Sequence, residues 1–421
     1  MDRMTRDGCG RPPAPSRRRV LQLGGGLLAA GAAGLVAPAA PAIARSRYDQ
    51  GASDSEIRIG QTTPFSGPAS YAGVGGRVQI AYFGRLNKRG GLRGRKVTFI
   101  ALDDAYSPPK TVEATRRLVE SDQVLGLWCS VGTATQAAVQ RYLNGKGVPQ
   151  LMVGSGASRF NNSEEFPWTT PGMALYVTEA QTIARHVLET RPQAKIAVLH
   201  QMDEMGREYV AAFRAALGDR AKEMIVSDAT YEVADPTVDS QVVKLAASGA
   251  DVFLNLTVGK FVSQSLRKVR ETGWKPEQYL FSGSATISLL KPAGAEAASG
   301  VLALRAARSI SSPRWQDDPA VKDYYSLLDA ELPNLDRSDN IGFAGYAMAV
   351  LLHQLLERCG DDLTRENLLK VATNLKGMTS PINLPGIHYS TTPQDYAPVR
   401  TFELSRYEND DWTGLRMLGL S

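Results

Sequence analysis

The order of elements between Ile57 and Val131 constrains the fold more than any other feature of the chain. Ile57 to Gln61 (IRIGQ) alternates apolar and polar residues. The stretch Thr62 to Gly76 (TTPFSGPASYAGVGG) is rich in turn formers, and the apolar spacing of Val78, Ile80, Ala81, Phe83 and Leu86 then takes a helical period. The pattern repeats at once. Val97 to Leu102 reads as a strand, Asp103-Asp104 as an acidic turn, Ser107 followed by Pro108 as a helix start, and the segment ending near Trp128 as another strand. Successive βαβ units of this kind predict an α/β fold with a doubly wound parallel sheet.

The first 44 residues stand apart from this pattern. Ser16 to Gln22 (SRRRVLQ) has the twin-arginine pattern, Leu23 to Val36 is an apolar Gly/Ala-rich run, and Ala42-Ile43-Ala44 is a small-x-small cleavage site. Together they predict a signal peptide over 1–44, cleaved after Ala44, and a product exported to the periplasm. The apolar run is too short and too rich in glycine for a stable membrane span, which needs roughly 20 apolar residues. Cys9 precedes that run and leaves with the signal, so a soluble product without a lipid anchor is expected.

The basic charge belongs mostly to this leader. Residues 1–44 hold six arginines and two aspartates, so of the whole-chain net charge of +5 only +1 is left for the remainder. Lys and Arg there are interspersed with Asp and Glu along the predicted helices, which removes the clustered basic face that nucleic-acid binding requires. Taking 44 from 421 residues leaves 377, too many for one core and suited to two lobes. Beyond the first units, helical periodicity returns at Thr133–Asn144, Thr178–Leu188, Met205–Leu217, Trp315–Leu332 and Asn340–Arg358. Strands are expected at Pro149–Val153, Lys195–His200, Met224–Ser227, Asp251–Leu256, Tyr279–Ser282, Val301–Arg305, Val399–Tyr407 and Trp412–Met417. Phe166–Thr170 (FPWTT) reads as an extended crossover. Cys129 and Cys359 could form a bridge in an oxidising compartment or remain free thiols.

The segments SGPASYAG, GGLRGRKV, DDAYSPPKTVEATRRLV and WCSVGTATQ, in this order and spacing, resemble the branched-chain amino-acid type of periplasmic substrate-binding protein that serves ABC transporters. VPQLMVGSGASRFNNSEEFPWTT, YEVADPTVDSQVVKLAASGADVF and RCGDDLTRENLLKVATNLKGM look like its aromatic-carboxylate subgroup. The resemblance implies a type I periplasmic binding protein with a three-segment hinge. Lobe 1 would hold residues 54–170 and 309–397, and lobe 2 residues 171–308 and 398–421. It also implies a monomer that closes on a small-molecule carboxylate and hands it to ABC permease subunits in the inner membrane, with no cofactor and no metal. The family often pairs the cysteine matching Cys129 with one in the acidic turn; this chain has Tyr106 there.

Open parallel sheets bind ligands beyond the carboxyl ends of their strands. Three loops qualify: Tyr71 lies in the first, Ser130 and Thr133 in the second, and Ser155, Gly156, Ala157 and Ser158 in the third. Small residues there let backbone N–H groups approach an anion at a helix start. By resemblance, Ser130 matches a carboxylate-binding serine, and Ser155, Gly156 and Ala157 match an Ala-Ala-Thr run. Tyr176 matches a tyrosine of the aromatic subgroup, and Met205 and Thr257 fall near lid positions. Ser284 stands where amino-acid binders carry an acid, and an α-ammonium taken out of water needs such a partner. The expected ligand is therefore a carboxylate without an amino group, with aromatic acids preferred. The alternatives are uptake of branched-chain amino acids or amides, and a ligand sensor for a membrane receptor.

Enzyme chemistry finds little support. His186, His200, His353 and His388 lack metal-ligand spacing, Gly154 to Gly156 is not a nucleophile elbow, and no G-x-G-x-x-G opens a βαβ unit after residue 44. Asp103 and Asp104 are explained by capping.

Overall fold

The structure, a computed structural model, describes residues 47–419. The predicted signal peptide lies outside the described residues. In chain order the strands are β1 (Arg47–Tyr48), β2 (Glu56–Thr63), β3 (Lys96–Asp103), β4 (Gly126–Trp128), β5 (Gln150–Val153), β6 (Thr169–Pro171), β7 (Ile196–Gln201), β8 (Ile225–Tyr231), β9 (Val252–Leu256), β10 (Glu277–Leu280), β11 (Leu302–Arg305), β12 (Asp362–Leu363), β13 (Thr401–Glu408) and β14 (Asp411–Gly419). They form two main sheets. The first has the order β3-β2-β4-β5-β6 and is wholly parallel. The second has the order β14-β13-β11-β10-β9-β7-β8, parallel from β8 to β11, with β13 and β14 added antiparallel. β1 and β12 pair separately.

Parallel strands are covered by helices on both faces, and their side chains show it. In β7, Ile196 and Val198 join a core with Ile183, Val187, Tyr209 and Phe213. Ala197 and Leu199 join a second core with Val242, Leu245, Phe261 and Val269. Period-2 alternation thus divides one strand between two helix layers. Against the first sheet, the helices Val74–Lys88 and Asn340–Cys359 cross where Gly75 and Gly345 bring backbone against backbone. Trp128 at the end of β4 donates from Nε1 to the Met348 carbonyl at 3.2 Å, which ties the helix Asn340–Cys359 to a strand more than two hundred residues earlier. This is a type I periplasmic binding protein fold, with a doubly wound sheet in each lobe.

The chain passes between the elements of one sheet and those of the other three times: between Pro171 and Tyr176, between Arg305 and Pro319, and between Ala372 and Thr401. Among the boundaries that differ from the sequence expectation, three bear on the crossings and the site. Thr169–Pro171 is an edge strand of the first sheet, so the crossing starts after FPWTT and not within it. The strand expected at Tyr279–Ser282 runs from Glu277 to Leu280, and Ser282–Ser284 form a 3-10 turn. The helix expected from Trp315 begins at Pro319, because Asp318 caps it by accepting from Ala320 N at 2.9 Å with Pro319 in the first turn. Cys129 and Cys359 are free.

Candidate functional site

The loops at the carboxyl ends of β2 to β5 face those at the ends of β7 to β10, and the predicted site residues divide between the two rims. On the first rim Ser130 is buried. Its Oγ accepts from Thr62 N at 3.0 Å while its carbonyl accepts from Gly154 N at 2.8 Å, so three loops are stitched together through one residue. Gly132, at φ +105, leads into the helix Thr133–Lys146. At that helix N-terminus Thr133 Oγ1 lies 2.8 Å from Ser155 Oγ, and both are 3.3 Å from the Tyr176 hydroxyl. Ala157 N donates to Ser155 Oγ at 3.1 Å, and Gly156 accepts through its carbonyl from Tyr176 N at 2.8 Å. Thr133, Ser155 and Tyr176, predicted separately, therefore form one buried cluster of hydroxyls.

Other predicted residues take different places. Tyr71 leans across to the second rim, where its ring edge would lie 2.9 Å from a Cβ on Gly259. Ser158 donates from its backbone N to Glu208 Oε1 at 2.9 Å, and its own hydroxyl is buried with no partner among the described residues. Met205 is buried in the core with Tyr209 and Phe213. Thr257 donates to Asn255 Oδ1 and Ser284 donates to the Thr257 carbonyl, each at 2.7 Å, so both hydroxyls are satisfied within the second lobe.

Electrostatics identify a set that sequence reasoning missed. Burial pushes the Tyr71 hydroxyl up to about 12, with Tyr176 adding to the shift. Burial raises Tyr106 well above the usual tyrosine range, reinforced by Tyr71, Asp203, Tyr176 and Tyr231. Tyr231 is raised well above that range by burial, and Tyr71 and Asp203 reinforce it while the bond from Val258 N opposes it. Residues that perturb one another in this way lie in one neighbourhood, which places Tyr106 near Tyr71, Tyr176, Tyr231 and Asp203. Asp203 caps the helix Glu204–Leu217, accepting from Gly206 N at 3.0 Å, and also accepts from Gln201 Nε2 at 2.5 Å. Behind Tyr176, Glu179 is buried and accepts from Ser282 N at 2.8 Å and Ser282 Oγ at 2.5 Å; burial pushes its carboxyl up to about 7. Position at parallel strand ends could have flagged Tyr106, Asp203 and Tyr231. Glu179 lies inside a helix and gave no such signal.

The sequence of residues 56–411 matches the family described as periplasmic binding protein. The chain belongs to that family. A Leu/Ile/Val-binding protein homologue 7 from Brucella suis biovar 1 is 25% identical over 266 residues, which are 61% of this chain and 63% of that protein, so the match spans under two thirds of the relative's length. The structure of a branched-chain amino acid ABC transporter from Thermus thermophilus with bound valine superposes with a TM-score of 0.77 at 15% identity, covering 87% of this chain and 97% of that one. A fatty acid ABC transporter substrate-binding protein from Thermomonospora curvata gives 0.69 at 18% identity, covering 89% and 94%. Both likenesses concern the fold.

Within this binding-protein fold the described residues hold no group of three or more His, Cys, Asp or Glu arranged for a metal ion. Trp128 and Trp274 spend their indole N–H groups on the Met348 and Ala250 carbonyls. Asp103 and Asp104 shape their own turn: Asp103 accepts from Phe65 N and Ser66 N, and Asp104 accepts from Tyr106 N and Thr111 Oγ1. No helix among the described residues is long and apolar enough to cross a membrane.

Proposed function

We propose that this chain is the exported solute receptor of an ABC importer, closing by a hinge motion on a small, preferably aromatic, carboxylate and making or breaking no bond. The Thr133–Ser155–Tyr176 hydroxyl cluster carries the reading. It sits at the N-terminus of a 14-residue helix, where backbone N–H groups and the helix dipole favour an anion, and it is already sheltered from water. Ser130 and the 155–158 loop border it, and Tyr71 and Tyr176 offer ring faces. Ser284 in place of an acid argues against an amino-acid ammonium. The relative named for fatty acids indicates that this fold is compatible with a carboxylate ligand that lacks an amino group. Lobes 54–170 with 309–397 and 171–308 with 398–421 would move about the three crossings, a ligand favouring closure by its differential contacts. Delivery to permease subunits from the periplasm, as a monomer, follows from the same reading.

Asp203 supports a second reading. Its carboxylate borders the same tyrosines and is a counter-charge that an α-ammonium could use, which fits the leucine, isoleucine and valine named for the relatives. Calorimetry on the purified chain with benzoate, coumarate, leucine and valine separates the two. Tighter binding of the aromatic acids supports the first reading and tighter binding of leucine or valine the second. Conversion of any of them to a new product would defeat both.

A further inference from the structure

Tyr106 occupies the turn between β3 and the helix Pro108–Arg116 in a backbone conformation that a bulky side chain rarely adopts. Its φ is +59, next to Ala105 at +49, and non-glycine residues are strained in the left-handed region. The turn is over-determined from one side: Asp104 accepts from Tyr106 N at 3.0 Å through Oδ1 and from Thr111 Oγ1 at 2.9 Å through Oδ2. This conformation turns the ring onto Gly132, where a Cβ would lie 2.6 Å from Tyr106 Cε2 and 3.2 Å from Cζ. The same Cβ would lie 2.5 Å from Thr135 Oγ1, so the glycine before Thr133 makes room for that hydroxyl and for the tyrosine ring together. The ring thus borders the start of the helix that carries the hydroxyl cluster. Its hydroxyl has no protein partner among the described residues, although Tyr231, also in the ring set, bonds to Val258 N at 3.1 Å and to the Leu256 carbonyl at 3.4 Å.

We infer that Tyr106 is a specificity-determining wall of the binding cleft, placing its ring against the aromatic or apolar body of a carboxylate whose charged end is held at Thr133 and Ser155. A strained turn held by Asp104, a ring seated on the glycine before Thr133 and a hydroxyl without a protein partner among the described residues together place Tyr106 beside the start of the binding helix. Tyr176, whose hydroxyl lies 3.3 Å from Thr133 Oγ1 one residue after Gly132, supplies a second aromatic side chain at the same helix start. Unlike the hydroxyl cluster, which only recognises the anion, Tyr106 would select by what the anion carries.

The inference rests on the carboxylate reading, and the test separates the two. Tyr106→Ala and Tyr106→Phe in the full chain are compared with the parent by calorimetry on benzoate, coumarate and acetate, with thermal unfolding of the unliganded proteins alongside. The expected result is a loss of at least about tenfold in affinity for the aromatic acids in Tyr106→Ala, with acetate affected less and most aromatic affinity kept in Tyr106→Phe. Ligand-induced change in tyrosine absorbance should also shrink in both variants. Tyr106→Ala that folds and binds the aromatic acids like the parent overturns the inference alone. If Tyr106→Ala is unfolded, loss of the absorbance change in Tyr106→Phe at near-parental affinity still supports it, and an unchanged signal counts against it. A parent that prefers leucine overturns the ligand reading together with the inference.

Discussion

Arg159 donates from Nη1 to both carboxylate oxygens of Glu204, at 3.1 and 3.2 Å, joining the loop that follows β5 of the first sheet to the helix that follows β7 of the second. The guanidinium is braced by Gln140, whose Oε1 accepts from Nε at 3.0 Å. One residue earlier, Ser158 N donates to Glu208 on the next turn of the same helix. These are bonds between lobes, formed only while the rims are together. Both side chains of the pair are about one third exposed, so its contribution is that of a surface pair, about 1 kcal/mol or less. Arg159→Ala should therefore weaken ligand binding only a few-fold, and salt should erase most of that difference. Small-angle scattering should show the unliganded variant shifted toward a larger radius of gyration. An unchanged radius would mean the pair does not bias closure.

Gly259 should tolerate no side chain once the rims approach. At φ +56 an L-residue there costs roughly 1 kcal/mol, and its Cβ would lie 2.9 Å from Tyr71. Gly259→Ala is expected to fold with a modest drop in Tm and to lose affinity by more than that drop accounts for, because the clash exists only in the closed form. Adding Tyr71→Ala should restore part of the closure while removing a ring from the cleft. Titration calorimetry and scattering on the single and double variants check this.

Removing a hydroxyl from the anion cluster should cost binding more than stability. Ser155→Ala and Thr133→Val each delete one member of the Thr133–Ser155–Tyr176 set, and a lost bond to a charged group is worth about 1.5 to 3 kcal/mol. Affinity for a carboxylate should fall by about tenfold to a hundredfold. The corresponding amide or alcohol should be much less affected, and equal losses on charged and neutral ligands would count against an anion site.

Glu179 makes stability depend on pH. Burial raises its carboxyl from the ordinary glutamate range to about 7, against the opposing pull of its bonds from Ser282. The folded state then holds the proton more tightly than the unfolded chain, so stability falls as pH rises from about 4.5 to about 7 and the loss is complete above that. Burial of Glu208 acts in the same direction. For Glu179 the penalty at neutral pH is about 3 kcal/mol, converting the shift at about 1.4 kcal/mol for each pH unit. Glu179→Gln should flatten the slope of Tm against pH in this window and be relatively most stabilising near pH 8. A parallel slope in both proteins would show that Glu179 is ionised as easily as an exposed glutamate.

Processing can be checked directly. Mass spectrometry of the periplasmic product should give a chain starting at Arg45, and Arg17→Lys with Arg18→Lys should block export. A product that keeps Leu23 to Val36, or normal export of the double variant, would contradict the twin-arginine assignment.

Period-2 and helical spacing were legible along the chain because they follow from local geometry: Ile57 to Gln61 could only be read as a strand, and Gly-rich loops at strand ends marked the rim of an α/β sheet before any contact was known. Tyr71, Thr133 and Ser155 were reachable in the same way, and Tyr176 through the family resemblance. What a hydroxyl bonds to is a matter of tertiary packing. Thr257 and Ser284 look equally available in the sequence, yet their donors are consumed by Asn255 and by the Thr257 carbonyl inside the second lobe. Element ends also moved where a cap or an edge pairing outweighed periodicity, as at Pro319 and at Thr169–Pro171. Tyr106 shows the division most plainly. Its identity in the acidic turn was visible from the start as the absence of a cysteine. That its ring enters the cleft depends on a left-handed backbone held by Asp104 and on space left by Gly132, residues that only the folded chain brings beside it.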